Sequence, residues 1–219
     1  MIESFLNILI RRWLQSCLLF LAACQVRSSS IPDDTIFLNK AADSIRTCLP
    51  LIRTGDLITR TGNDFTSESL RQLNRRDQTY SHCGIAIIEN DSVFVYHALG
   101  GEFNPDQALL REYFPAFASP QYNRGVGIYR FPLSTTAVRQ LTQTVQLLHR
   151  ACIPFDMDFD LITNERLYCA EFVTKAYRAG TDGWLHFDTS RLGNRLFAGV
   201  DDCFLQSSCR LVKRVRYSP

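Results

Sequence analysis

Apolar and polar positions change their period several times along the chain, and each change marks an element. Two runs, SHCGIAII (81–88) and SVFVYHAL (92–99), are apolar and β-branched, with only Glu89-Asn90-Asp91 between them. So short a turn-forming spacer between strand-like runs predicts a β-hairpin. Leu57-Ile58-Thr59 follows the turn signal Gly55-Asp56 and reads as a strand, as does GVGIYRF (125–131). In STTAVRQLTQTVQLLHRA, Val138, Leu141, Val145 and Leu148 recur at helical spacing behind Ser134, a residue suited to capping. Phe172, Val173, Ala176 and Tyr177 form a second helical stripe with Cys169, and Gly180 ends it. A helix is also expected from Asp34 to about Cys48, with short ones over SESLRQLNRR and in the tail, which closes on a last strand. The mixture predicts one α+β domain, a meandering antiparallel sheet with segregated helices.

The same periods place the chemistry. Side chains on a strand alternate, so His82, Gly84 and Ala86 share one face while Cys83, Ile85 and Ile87 share the other. His82 and Cys83, adjacent in sequence, therefore cannot form a dyad, and Cys83 reads as a small buried hydrophobe. A two-residue hairpin turn puts His97 on the face of His82, either directly across or beside Gly84. A three-residue turn would flip it. Cys169 opens its helix, where the dipole and free N–H groups lower a thiol pKa and can receive an oxyanion. A sheet histidine opposite would complete a thiolate–imidazolium arrangement; a plain buried helix cysteine is the alternative.

Composition narrows the field. The chain has 219 residues, 46% of them apolar, enough for one sizeable core, and a net charge of +2. Its basic residues are scattered apart from CRLVKRVRY near the end, which reads as a solvated edge strand, so no nucleic-acid partner is expected. Arg11 and Arg12 precede WLQSCLLFLAA and Cys24, the layout of an export signal rather than a membrane span. This divides the chain into a signal (1–23), a tether (24–34) and a domain (35–219). The remaining cysteines are Cys48, Cys83, Cys152, Cys169, Cys203 and Cys209, of which Cys203 and Cys209 flank a loop that could close. No zinc-type Cys/His spacing occurs, and Asp156, Asp158 and Asp160 lack the glycine and glutamate of a calcium loop, so neither a metal nor a cofactor is expected. His149 and His186 read as incidental.

Two resemblances extend this reading. Leu21-Ala22-Ala23-Cys24 resembles the lipobox of bacterial lipoproteins, which implies lipidation at Cys24 and anchoring in the cell envelope, at the outer membrane or its periplasmic face. GDLI, YSHCGIAII, VYHAL, and PFDMDF leading to LYCAEFVTKAY, in that order, resemble the circularly permuted papain-like branch of the NlpC/P60 superfamily. The likeness is to YiiX/YebB-type cysteine hydrolases, distantly akin to the lecithin–retinol acyltransferase group, and covers most of residues 50–180. It implies that Cys169 is the nucleophile, His82 its base and His97 the orienting third residue. Tyr168, Phe155, Asp156 and Ser81 would line the substrate pocket, and Glu171 would be structural. Many YiiX-like chains have glutamate in the third position; the imidazole of His97 supplies no such charge. The implied activity is hydrolysis of an amide, in a peptidoglycan stem peptide or a lipid or N-acyl amide, through a cysteinyl acyl-enzyme. An acyltransferase on the same site, or a catalytically weak ligand-binding lipoprotein, would be the alternatives.

Overall fold

A computed structural model describes residues 31–101 and 103–217. The export signal, Cys24 and most of the tether lie outside the described residues. Contacts divide the chain into a unit ending at Thr35, whose described residues 31–35 open the first helix, and a unit from Ile36 onward. In chain order the elements are α1 (Ile31–Cys48), β1 (Leu57–Gly62), α2 (Phe65–Arg71), β2 (His82–Glu89), β3 (Ser92–His97), β4 (Leu110–Tyr113) and α3 (Phe114–Phe117). Then follow β5 (Asn123–Arg130), α4 (Thr135–Arg150), α5 (Cys169–Gly180), β6 (Ser190–Leu192), β7 (Arg195–Phe197), α6 (Val200–Phe204) and β8 (Arg210–Arg216).

Six strands form one antiparallel sheet in the order β4-β3-β2-β1-β5-β8. The hairpin turn has two residues: Glu89 pairs with Ser92, and Asn90 and Asp91 take positive φ of 47° and 61°. Such angles suit short polar side chains and match the twist of the flanking strands. With Ile85 opposite Tyr96, the register carries Gly84 opposite His97 and makes His97 the diagonal neighbour of His82. The basic tail is the edge strand β8, and its charges discourage a further strand from adding.

Helices cover both faces of the sheet rather than one. On one face α4, α5 and α6 enclose Leu57, Cys83, Ile85, Ile87, Tyr129, Phe172 and Val173. On the other, α1 and α3 bury Ile58, Ala86, Val95, Val126 and Ile128. Ser134 caps α4 by accepting from the Ala137 N–H at 3.1 Å. Helices α4 and α5 cross closely at Gly180, where a Cβ would lie 2.7 Å from the Leu141 Cα. The buried Asp56 carboxylate takes two 2.6 Å hydrogen bonds from Arg130 and one of 2.8 Å from the Arg53 N–H, fixing the entry to β1.

Candidate active site

His82 begins β2 and His97 ends β3, so the hairpin brings both imidazoles to one edge of the sheet. Their rings are 5.0 Å apart and nearly perpendicular, with His82 Nε2 2.9 Å from His97 Nδ1. Gly84 makes the room: a Cβ there would lie 2.9 Å from the His97 Cβ and 2.6 Å from the Tyr96 carbonyl oxygen. Phe117 of α3 packs against both rings, 5.9 Å from one and 5.1 Å from the other.

Sequence reasoning missed the next member. Glu112, on the short edge strand β4, places Oε2 3.3 Å from His97 Nε2. The approach is oblique, so the buried His97 Nε2 has the carboxylate near it without a well-aligned hydrogen bond. The carboxylate supplies, one residue further out, the negative charge that His97 lacks. Arg60 stands behind it, 3.7 Å from Glu112 Oε2, with its guanidinium 4.4 Å over the Phe117 ring and a hydrogen bond to the Phe117 carbonyl. His97 beside it holds the Glu112 carboxyl below the usual carboxylate range, although burial opposes the shift. With the His97 proton on Nε2 toward Glu112, His97 Nδ1 would accept from His82 Nε2–H. Among the described residues no hydrogen bond forms at His82 Nδ1, on a ring that borders a cleft of about 650 Å³.

Burial pushes His82 well below an ordinary imidazole pKa, and Arg60 and His97 add to that. Burial also lowers His97, with Glu112 opposing. Both shifts favour the neutral rings.

Cys169 opens α5 as its stripe requires and is 7% exposed. It packs on the Cys83 face of β2, opposite the face of the His82 ring, and no hydrogen bond joins Cys169 to His82. Strand alternation correctly separates His82 from Cys83, but the helix covers Cys83 and not His82. The Cys83 thiol lowers the Cys169 pKa most; burial opposes it, and the N–H groups of Cys83, Ala170 and Cys169 reinforce it. Cys83 is the small buried residue expected, 0% exposed in the core cluster that also holds Cys169 and Cys203, and burial pushes its pKa well up. Cys203 turns inward toward the carbonyls of Ala170 and Gly199 instead of closing a loop with Cys209, and all six described cysteines are free thiols.

Ser81 connects the two halves. It borders both the cleft beside His82 and a small cavity of about 20 Å³ over Cys169, and its Oγ accepts from the Gly62 N–H at 3.0 Å. Tyr168 also borders the small cavity; its hydroxyl accepts from the Ala198 N–H at 2.8 Å and its ring stacks on Phe197. Phe155 and Asp156 border neither space. Phe155 is buried against Gly100, and Asp156 accepts from the N–H groups of Asp158 and Asp160. Glu171 is fully buried; it accepts from the Tyr168 N–H at 3.1 Å and pairs with Lys175 at 2.7 Å, while burial raises its pKa to about 7. Among the described residues, no group of three or more histidine, cysteine, aspartate or glutamate side chains could hold a metal ion.

Comparison with known proteins meets this geometry. No curated protein matches the chain. Among solved structures, the metalloprotein yiiX from Escherichia coli O157:H7 superposes with a TM-score of 0.62 at 18% identity, over 75% of this chain and 98% of that one. At that identity the likeness speaks for the fold. Residues 51–189 match the family described as "Permuted papain-like amidase enzyme, YaeF/YiiX, C92 family". The chain belongs to this permuted papain-like amidase family and is a cysteine hydrolase of the YaeF/YiiX type.

Proposed function

We propose that the protein cleaves an amide through a cysteinyl acyl-enzyme, with Cys169 as nucleophile, His82 Nδ1 as proton carrier, and His97 and Glu112 as its orienting chain. The observation that carries this reading is His82 Nδ1, without a hydrogen bond among the described residues, at the end of the Glu112–His97–His82 series, one residue from the Ser81 wall shared with Cys169. In the first half-reaction the sulfur attacks the acyl carbon, and its proton passes to His82 Nδ1 and on to the leaving amine. The N–H groups of Cys169 and Ala170 face the developing oxyanion. In the second, a water gives its proton to His82, its oxygen displaces the thioester sulfur, and the proton returns to Cys169. Because His82 and Cys169 are not hydrogen-bonded at rest, substrate must draw them together across Ser81.

Leu70, Leu99, Phe103 and Tyr122 give the cleft an apolar stretch beside Arg60 and Glu112. That favours a lipid or N-acyl amide over a stem peptide. The export signal and the lipobox-like Cys24 support an envelope location with a lipid anchor as part of the same reading.

The test is site-resolved alkylation of Cys169 by iodoacetamide against pH, with release of amine from a long-chain N-acyl amide measured in parallel. Cys169→Ala should abolish release. His82→Ala should lower release at least about 100-fold while leaving the resting alkylation profile of Cys169 unchanged. Release that survives Cys169→Ala, or is indifferent to His82→Ala, sinks the assignment.

A further inference from the structure

The sheet edge that carries His82 runs on past β1 to β5 and β8, and a second cavity of about 520 Å³ opens there. Helix α2 stands between the two spaces: Ser67 and Leu70 border the cleft beside His82, whereas Arg71 borders the second cavity. Arg71, Arg124, Arg214 and Arg216 all line the latter, with Asp77 as the acidic member of its wall.

These four cations are not equally neutralised. Glu68 takes a 2.7 Å hydrogen bond from Arg71 and lies 3.7 Å from Arg124. Arg214 is held instead by uncharged groups: it donates from Nε to the Tyr80 hydroxyl and from Nη2 to the Tyr129 hydroxyl, both at 2.9 Å. Burial raises the Tyr129 pKa, which keeps that hydroxyl a neutral phenol. Among the described residues neither Arg214 nor Arg216 has a carboxylate partner. A guanidinium fixed by neutral partners keeps its charge available and loses little freedom when it binds. The Arg71 Nε is buried and lacks a hydrogen-bond partner in the same wall. Gly125 keeps the β5–β8 junction tight, since a Cβ there would lie 2.5 Å from the Val215 carbonyl oxygen.

We propose that this cavity is a binding site for a phosphate-type oxyanion. A carboxylate offers one fork to one arginine, whereas a phosphoryl group offers oxygens in several directions and can serve Arg214 and Arg216 together. The cavity is larger than a bare ion, so the ligand is the phosphoryl group of a larger molecule, either a soluble phosphomonoester or the phosphodiester of a lipid headgroup. The inference stands apart from the assignment of Cys169, because binding and not turnover is read.

Calorimetric titration of the full chain tests it, with inorganic phosphate as the probe and sodium chloride at matched ionic strength as the reference. Phosphate should bind where chloride does not, and Arg216→Gln should weaken it about tenfold, the worth of one charge-assisted hydrogen bond. Arg214→Gln should do the same; because Arg214 also braces two tyrosines, Arg216→Gln on the exposed edge strand is the cleaner variant. Arg53→Gln, at an exposed arginine remote from the cavity, should leave binding unchanged. Glycerophosphoglycerol binding more tightly than phosphate assigns a lipid headgroup, and glycerol 3-phosphate binding more tightly assigns a soluble monoester. Phosphate heats no larger than chloride heats, or an equal loss in Arg53→Gln and Arg216→Gln, would overturn the site.

Discussion

His97 sits between an imidazole and a carboxylate, and its two ring nitrogens must divide the roles of donor and acceptor. A proton on His97 Nε2 toward Glu112 would leave the free lone pair of His82 on Nδ1. Glu112→Gln offers His97 Nε2 an amide N–H instead. That reverses the series and leaves His82 protonated on the nitrogen that faces the cleft. Amide hydrolysis should fall about 100-fold in kcat with little change in KM, and Glu112→Asp should restore part of it, as steady-state rates would show. His82 and His97 were legible because alternation and a two-residue turn fix their shared face. Glu112 was not. LREY (110–113) is a four-residue, half-exposed edge strand whose apolar pattern is too short to announce itself. Nothing in the order of residues says that it lies beside β3. Arg60 was hidden for a related reason, since an arginine at the end of a strand ordinarily faces water.

At the scale of elements, the hairpin and the nucleophile helix were readable and their mutual arrangement was not. The stripe from Cys169 to Tyr177 states that α5 packs on a sheet, but not which face of β2 it covers. Long-range packing settles that, with α1 and α3 occupying the His82 face. Gly84 is the hinge between element and site. A methyl group there meets the Tyr96 carbonyl at 2.6 Å and Val95 Cγ1 at 2.7 Å, atoms of a paired strand that cannot easily withdraw. Gly84→Ala should therefore cost about 1–3 kcal/mol in denaturant unfolding. It should also push β3 outward, so that the imidazole NMR signals of His82 and His97 titrate independently.

Across the whole molecule, buried titratable groups of opposite sense compete. Burial lowers both His82 and His97 in the fold, and unfolding returns them toward about 6.5. Below that pH the unfolded chain binds protons that the folded chain refuses, so stability falls with acid. Glu171 acts in reverse: its folded pKa of about 7 lies above the unfolded value near 4.5, so its contribution grows as pH drops through that window. Wild type should thus show a shallow change in Tm between pH 7 and pH 5. Glu171→Gln, which removes only the compensating group, should lose Tm more steeply over the same range in calorimetric scans. A steeper loss in wild type than in Glu171→Gln would show that Glu171 does not offset the histidines.

The space over Cys169, at about 20 Å³, is scarcely more than one solvent molecule needs. Leu73, Phe159 and Phe197 share its wall with Ser81, and Phe159 holds a positive φ of 53°, a conformation costly for a bulky residue. The Cys169 thiol, its pKa lowered by its neighbours, lies beneath this wall. Access to Cys169 therefore rests on the side chains of that wall.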